Sequence, residues 1–208
     1  MALILTALAV FIILLGSEIW WRFKQPHNEF SRKFIHITVG TFVAFWPFFL
    51  SWNEIRLLAL GFVLMVVLSK WLHIFKSIHS VQRPTWGEVY FALVVGLLTF
   101  VTHSKGIYAA SLLQMSLADG LAAVVGVNFG KSHRYKVFGH PKSYLGTLTF
   151  FVTSLILLGG YVLTGHDLAT WHLVGLSILA TIGENLAVAG LDNLLIPLLI
   201  AFVLTQVS

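Results

Sequence analysis

Residues 116–146 read Ser116-Leu-Ala-Asp119-Gly-Leu-Ala122-Ala123-Val-Val-Gly126-Val-Asn-Phe-Gly130-Lys131-Ser-His-Arg134-Tyr-Lys136-Val-Phe-Gly-His-Pro-Lys142-Ser143-Tyr-Leu-Gly146. One carboxylate, Asp119, sits inside an apolar run. Small residues follow it, then a loop carrying four cations among glycines and hydroxyls. Ser143 opens the next apolar run. The stretch reads as a membrane helix, a charged connection and the start of a second helix. A buried acid beside an exposed basic loop is also what chemistry on phosphates requires. An ordinary membrane anchor does not need it.

Apolar runs alternate with short charged connections along the whole chain. Of 208 residues, 58% are hydrophobic and only 10% charged, with a mean hydropathy of +0.89. A soluble domain would carry roughly 25% charged residues. The composition predicts an all-α integral membrane protein, because backbone isolated in lipid must satisfy its own hydrogen bonds and a helix does so. Eight transmembrane spans are expected, at about 2–21, 34–50, 55–71, 88–102, 107–127, 144–164, 171–189 and 194–207. Several fall short of the roughly 20 residues a crossing needs. They are expected to be tilted or broken, in one domain over residues 1–208 with no linker.

The connections carry an orientation. Those after spans one, three and five hold eleven of the thirteen Lys and Arg residues, and the other side holds only Arg56 and Lys105. Basic loops stay in the cytoplasm. The odd-numbered connections are therefore expected inside and both termini outside. This distribution explains the formal charge of +5 without nucleic acid. The chain has no cysteine, which excludes disulfides, thiolate metal sites and a cysteine nucleophile. The first apolar run has its first basic residue, Arg22, behind it rather than in front, the reverse of a secretory signal, so it reads as a retained span. From Trp71 to Trp86 aromatic, aliphatic and basic residues alternate. That stretch reads as an interfacial amphipathic helix ended by Pro84, or as a long end of span three.

Six of the eight acidic residues fall in or toward the cytoplasmic half: Glu18, Glu29, Glu88, Asp119, Glu184 and Asp192. Asp119, Glu184 and Asp192 interrupt or border spans. A carboxylate at mid-span costs on the order of 2.5–3.5 kcal/mol, so such groups face a polar cavity, a partner or an ion. Asp119 lies roughly 12 Å below the cytoplasmic end of its span, at 1.5 Å per residue. It shares a helical face with Ala122/Ala123, Gly126 and Gly130. That stripe reads as close helix packing, as a groove beneath the cytoplasm, or as both.

Several segments point to phosphate. Gly126-Val-Asn-Phe-Gly-Lys-Ser132 is not a P-loop, since three residues rather than four separate the glycines and no strand precedes them. Its amides, Lys131 and hydroxyl can hold phosphate by another geometry. Lys142-Ser143-x-x-Gly146 opens span six, where a helix N-terminus presents free amides; Ser143 equally reads as an N-cap. Arg32-Lys33-x-x-His36 opens span two. Cations there oppose the helix dipole, a conflict that a bound anion relieves. Glu184 and Gly190-Leu-Asp192-Asn193 flank the connection of spans seven and eight. Two carboxylates and an amide suit a divalent cation or serve as helix caps. Arg83-Pro-Thr-Trp-Gly87-Glu88 adds a base–acid pair at the start of span four.

Taken in order, Arg32-Lys33-x-x-His36, Arg83-x-x-x-Gly87-Glu88-Val-Tyr, Ala118-Asp119-Gly-x-Ala-x-x-x-Gly126-x-x-Phe129-Gly130-Lys131, Lys142-Ser143-x-x-Gly146, and Glu184 with Asp192-Asn193-Leu-x-x-Pro197 resemble the polyprenol kinase family. That family includes dolichol kinase, phytol kinase and the CTP-dependent diacylglycerol kinase, and is distantly similar to phosphatidate cytidylyltransferase. The resemblance covers residues 31–208; residues 1–30 form the first span and loop. It has Ala118 where the family commonly has glycine. It implies an integral membrane kinase that transfers the γ-phosphate of CTP, or another nucleoside triphosphate, to the hydroxyl of a membrane lipid alcohol of the polyprenol type. It further implies a divalent cation such as Mg2+ and a site facing the cytoplasm.

On that reading Asp119, Lys142 and Glu184 are catalytic. Asp119, Glu184 and Asp192 are the metal ligands. Arg32, Lys33, His36, Gly126, Gly130, Lys131, Lys142, Ser143, Gly146 and Asn193 hold nucleotide and phosphate. The base is Glu88, Asp119 or His36. The partners are the lipid alcohol, the nucleotide and the bilayer, and a homo-oligomer is compatible with the sequence. Two other readings share the residues: CMP transfer to phosphatidic acid, and a small ion-coupled transporter with Asp119 and Glu184 as its ion site.

Overall fold

Long apolar stretches fold here into helices that turn their polar side chains toward one another. The computed structural model describes residues 1–24, 28–72 and 86–208. Among the described residues stand eight helices: α1 Ala2–Lys24, α2 Asn28–Ala44, α3 Trp52–Leu72, α4 Gly87–Val101, α5 Lys105–Phe129, α6 Tyr144–Leu163, α7 Thr170–Leu186 and α8 Asp192–Val207. Each occupies one of the expected segments. Four contain stretches long and apolar enough to cross a bilayer: Ala2–Trp20, Trp52–Ser69, Lys105–Phe129 and Tyr144–Leu163. The shorter α4 and α8 are apolar as well. Helices α2 and α7 have 17 residues each, about 26 Å of rise against a hydrocarbon core of about 30 Å.

Polarity runs inside out. Ile4, Leu57, Leu60 and Ile156 point outward from α1, α3 and α6, each more than half exposed. Ser111, Gln114, Ser116, Ser154 and Ser177 are fully buried. Only a lipid-facing surface makes that distribution favourable. The core lies where α4, α5 and α8 meet, around Val94, Leu98, Tyr108, Leu112, Met115, Ile196 and Ile200. Proline 197 sits inside α8, in its second turn, where few intrahelical donors are lost.

Successive helices reverse direction. At one end Arg56 donates to Thr99 at 2.9 Å, Lys105 lies over the Phe48 ring, and Tyr161 stacks on His166. At the other end Lys33 meets Asp119 and Lys142 meets Glu184. The described cations from the basic connections thus sit opposite Arg56 and Lys105.

Three local features depart from the expectation. A two-stranded antiparallel hairpin, β1 Arg134–Val137 and β2 His140–Ser143, interrupts the all-α pattern. Its two-residue turn, Phe138-Gly139, has both φ angles positive, the turn whose twist matches paired strands. Span two ends at Ala44 instead of residue 50, because Pro47 enters a 3-10 turn at Trp46–Phe48. Helix α5 contains a π-helical turn at Gln114–Ala118, immediately before Asp119. The expected interfacial helix and Arg83 fall largely within residues 73–85, outside the described residues.

Candidate active site

Helix α2 lies tightly against α5 because glycine occupies the crossing. A Cβ on Gly120 would come within 2.3 Å of Ile37, and one on Gly40 within 2.5 Å of Ser116. That approach brings Lys33 Nζ to 2.5 Å from Asp119 Oδ2, with both side chains about 95% buried. The π turn sets up the other neighbour. The Asp119 N–H bonds Gln114 O rather than the Met115 carbonyl that an α-helix would give it. His36 Nε2 donates to Met115 O at 3.0 Å and stands 3.6 Å from Asp119 Oδ2. An extra residue in a helical turn often marks a working site.

The loop after α5 closes back over this acid. Ser143 has extended backbone, and its Oγ accepts from Gly146 N at 3.0 Å, capping α6. The hydroxyl fits only because its neighbours lack side chains. A Cβ on Gly126, Gly130 or Gly146 would lie 2.5–2.9 Å from Ser143 Oγ. The glycine stripe is therefore occupied by the cap. The hairpin is fastened at two further points. Tyr135 hydrogen-bonds Thr147 at 2.5 Å and Asn185, and Lys142 bonds both the carboxylate and the carbonyl of Glu184.

The result is an open cavity of about 290 Å³. Its walls carry Lys33 from α2, Asp119, Ala122, Ala123 and Gly126 from α5, and Arg134 and Lys142 from the hairpin. Ser143, Gly146 and Thr147 add the start of α6, Glu184 comes from α7 and Asp192 from α8. Three cations, three carboxylates and a helix N-terminus surround one space. A polyanion gains from the cations and from the positive end of the α6 dipole; the carboxylates are suited to a hard cation accompanying it.

A second, narrower cleft of about 50 Å³ lies alongside. Leu14, Ile35, Val39, Phe62, Val66 and Phe91 make it apolar, and His36, Glu88 and Asn193 are its polar members. His36, against Asp119, stands between the two spaces. Asn193 donates from Nδ2 to Gly87 O at 2.9 Å, which ties α8 to the start of α4.

The structure thus assembles Lys33, Asp119, Gly126, Lys142, Ser143, Gly146, Glu184 and Asp192 around the first space. It puts His36, Glu88 and Asn193 on the second. Gly130 and Lys131 line neither; Gly130 accommodates Ser143 and Lys131 is exposed. The Arg32 side chain falls outside the described residues. Sequence reasoning missed Arg134, Tyr135, Thr147 and Asn185. The one signal in the sequence was the polar–apolar alternation of Arg-Tyr-Lys-Val before Gly139, too short to mark a strand by itself.

Among the described residues no three His, Asp or Glu side chains group closely enough to hold a metal by themselves. A hard cation brought in with a nucleotide needs only one or two protein carboxylates, since phosphate oxygens and water complete its shell. Asp119, Glu184 and Asp192, facing one cavity, fit that mode.

An apolar helical bundle with such a cavity at one end defines a membrane protein with a charged site beside its lipid-facing surface. Over 196 residues the chain is 35% identical to a phytol kinase of Synechocystis sp., an alignment spanning 89% of this chain and 82% of that protein. No family model and no solved structure matches. At that identity and coverage the chain belongs to the polyprenol and phytol kinase family, and it is a membrane kinase.

Proposed function

We propose that this kinase transfers the γ-phosphate of CTP to the hydroxyl of an isoprenoid alcohol such as phytol, on the cytoplasmic side of the membrane. The observation that carries the reading is the pair of lysine–carboxylate contacts, Lys33–Asp119 and Lys142–Glu184, facing one cavity beside a capped helix start. The relative's name supports an isoprenoid alcohol as acceptor. The reversal of all eight helices, with basic residues at the cavity end, supports eight crossings and a cytoplasmic site.

Each pair neutralises itself until a ligand of matching charge enters. Triphosphate oxygens then take Lys33 and Lys142 beside the positive end of α6. Asp119, Glu184 and Asp192 would hold a divalent cation, which supplies neutralisation of charge on the β- and γ-phosphates when bound. The alcohol oxygen forms a bond to the γ-phosphorus. The bond from that phosphorus to the bridging oxygen breaks, and its electron pair leaves with the nucleoside diphosphate. The hydroxyl proton passes to the Glu88 carboxylate. Such transfer depends mainly on positioning and charge, and the side chains described supply both.

The test uses purified protein, Mg2+, phytol and CTP labelled at either the α- or the γ-phosphate. The γ-label is expected in a lipid monophosphate. Incorporation of the α-label would instead establish CMP transfer. A preference for ATP at equal concentration would overturn the choice of donor.

A further inference from the structure

The second cleft holds an unexplained atom. Asn193 is 4% exposed and lines that cleft. Its Nδ2 is spent on Gly87 O, but its Oδ1 is buried without a hydrogen-bond partner among the described residues. An acceptor left buried and unsatisfied carries the cost of its lost hydration with nothing to offset it. Six other buried side-chain atoms among the described residues share that state, but of these side chains Asn193 alone lines one of the two spaces, where a ligand can donate to it. Every other wall of the cleft is hydrocarbon or aromatic, apart from His36 and Glu88. His36 already donates from Nε2 to Met115 O. Glu88, half-buried, makes no hydrogen bond or ion pair with the described residues. The cleft therefore offers two acceptor groups, a carbonyl oxygen and a carboxylate, at the end of an apolar slot. The complementary ligand has one hydroxyl donor on a hydrocarbon chain.

We infer that this cleft is the binding site for the alcohol end of the acceptor lipid, with Asn193 Oδ1 accepting the hydroxyl's hydrogen bond as the lipid docks and the Glu88 carboxylate replacing it as acceptor when the proton leaves. The inference rests on the kinase reading above and assigns the acceptor to its own place. Three observations join it to the phosphate cavity. His36 lines the cleft and touches Asp119, which lines the cavity. Asp192 and Asn193, adjacent in α8, face the cavity and the cleft respectively. Lys33 and Ile35, two positions apart in α2, likewise line the cavity and the cleft respectively. One wall thus separates a charged space from an apolar one, and the reacting oxygen would cross only that wall. The walls come from α1, α2, α3, α4 and α8, so a chain leaving the slot passes between helices with apolar outer faces. A slot of about 50 Å³ takes one chain end. Asn193 is thereby a positioning residue for the acceptor and not a phosphate ligand.

Two measurements test this. The first is photocrosslinking of the wild-type protein, without nucleotide, by a phytol analogue carrying a diazirine on its first few carbons. Adducts are expected on Val39, Phe62, Val66 or Phe91, and excess phytol should compete them away. Adducts confined to the outer faces of α1 and α6 would overturn the site, whether or not the kinase reaction occurs. The second is steady-state kinetics of Asn193→Leu and Asn193→Asp. Leucine is expected to raise KM for phytol five- to twentyfold with KM for CTP unchanged. Aspartate keeps an acceptor oxygen but, like leucine, loses the bond to Gly87 O, so its KM for phytol should lie between those of wild type and the leucine variant. A rise in KM for CTP with KM for phytol unchanged would overturn the assignment. If wild-type protein crosslinks phytol in the cleft but transfers no phosphate to it, the kinase reading fails and the binding site stands.

Discussion

Lys33 and Asp119 are each about 95% buried and lie 86 positions apart in sequence. Burial of two opposite charges is favourable only while both are present; removing one typically costs about 3–5 kcal/mol, whereas an apolar pair of similar volume is neutral or better. Lys33→Met alone is therefore expected to lower stability by about that amount, read as a fall in apparent Tm in detergent. Lys33→Met combined with Asp119→Leu should regain most of the Tm and remain inactive in phosphoryl transfer. A double variant as unstable as the single one would show that the pair is a structural strut instead. Asp119 was legible in the sequence because a carboxylate in an apolar run needs a reason. Its partner was not, because nothing local links Lys33 to it. The same holds for Lys142 and Glu184, whose contact depends on the return of α7 across 42 residues.

Between β2 and α6 the decisive object is one hydroxyl. Ser143 caps α6 and fills the space left by three glycines. An alanine at Gly126 would put its Cβ 2.7 Å from Ser143 Oγ. Gly126→Ala is expected to displace the cap, at about 1 kcal/mol, and to raise KM for CTP. Adding Ser143→Ala removes the clashing atom, so the double variant should be less destabilised than the sum of the two singles. Additive effects would mean that the cap and the stripe do not touch. The cap itself was legible from Ser143 standing before an apolar run. The hairpin was not, since strands of four residues inside a basic loop leave little pattern and Phe-Gly is not the usual turn pair. Its fastening by Tyr135 makes a separate prediction. Tyr135→Phe loses hydrogen bonds to Thr147 and Asn185, and should raise KM for CTP severalfold with KM for phytol unchanged. An unchanged KM for CTP would detach the hairpin from the nucleotide.

For the whole molecule, composition and charge alternation made the helical membrane architecture legible, and each described helix falls in an expected segment. The division of the site into two compartments was not legible, because it depends on which side of α8 each of two adjacent residues faces. Orientation has a direct test in a chain with no native cysteine. Lys131→Cys should be shielded from a membrane-impermeant maleimide in intact cells, and Asp167→Cys should react. Labelling of both, or of neither until lysis, would contradict opposite sides. The central claim is that Asp119 sits where nucleotide phosphates, cation and acceptor meet. The measurement closest to it is γ-phosphate transfer from CTP to phytol by purified Asp119→Asn, beside a thermal melt of the same sample. Transfer reduced at least a thousandfold, in protein that still unfolds cooperatively, is the expected result; transfer at the wild-type rate would contradict the account.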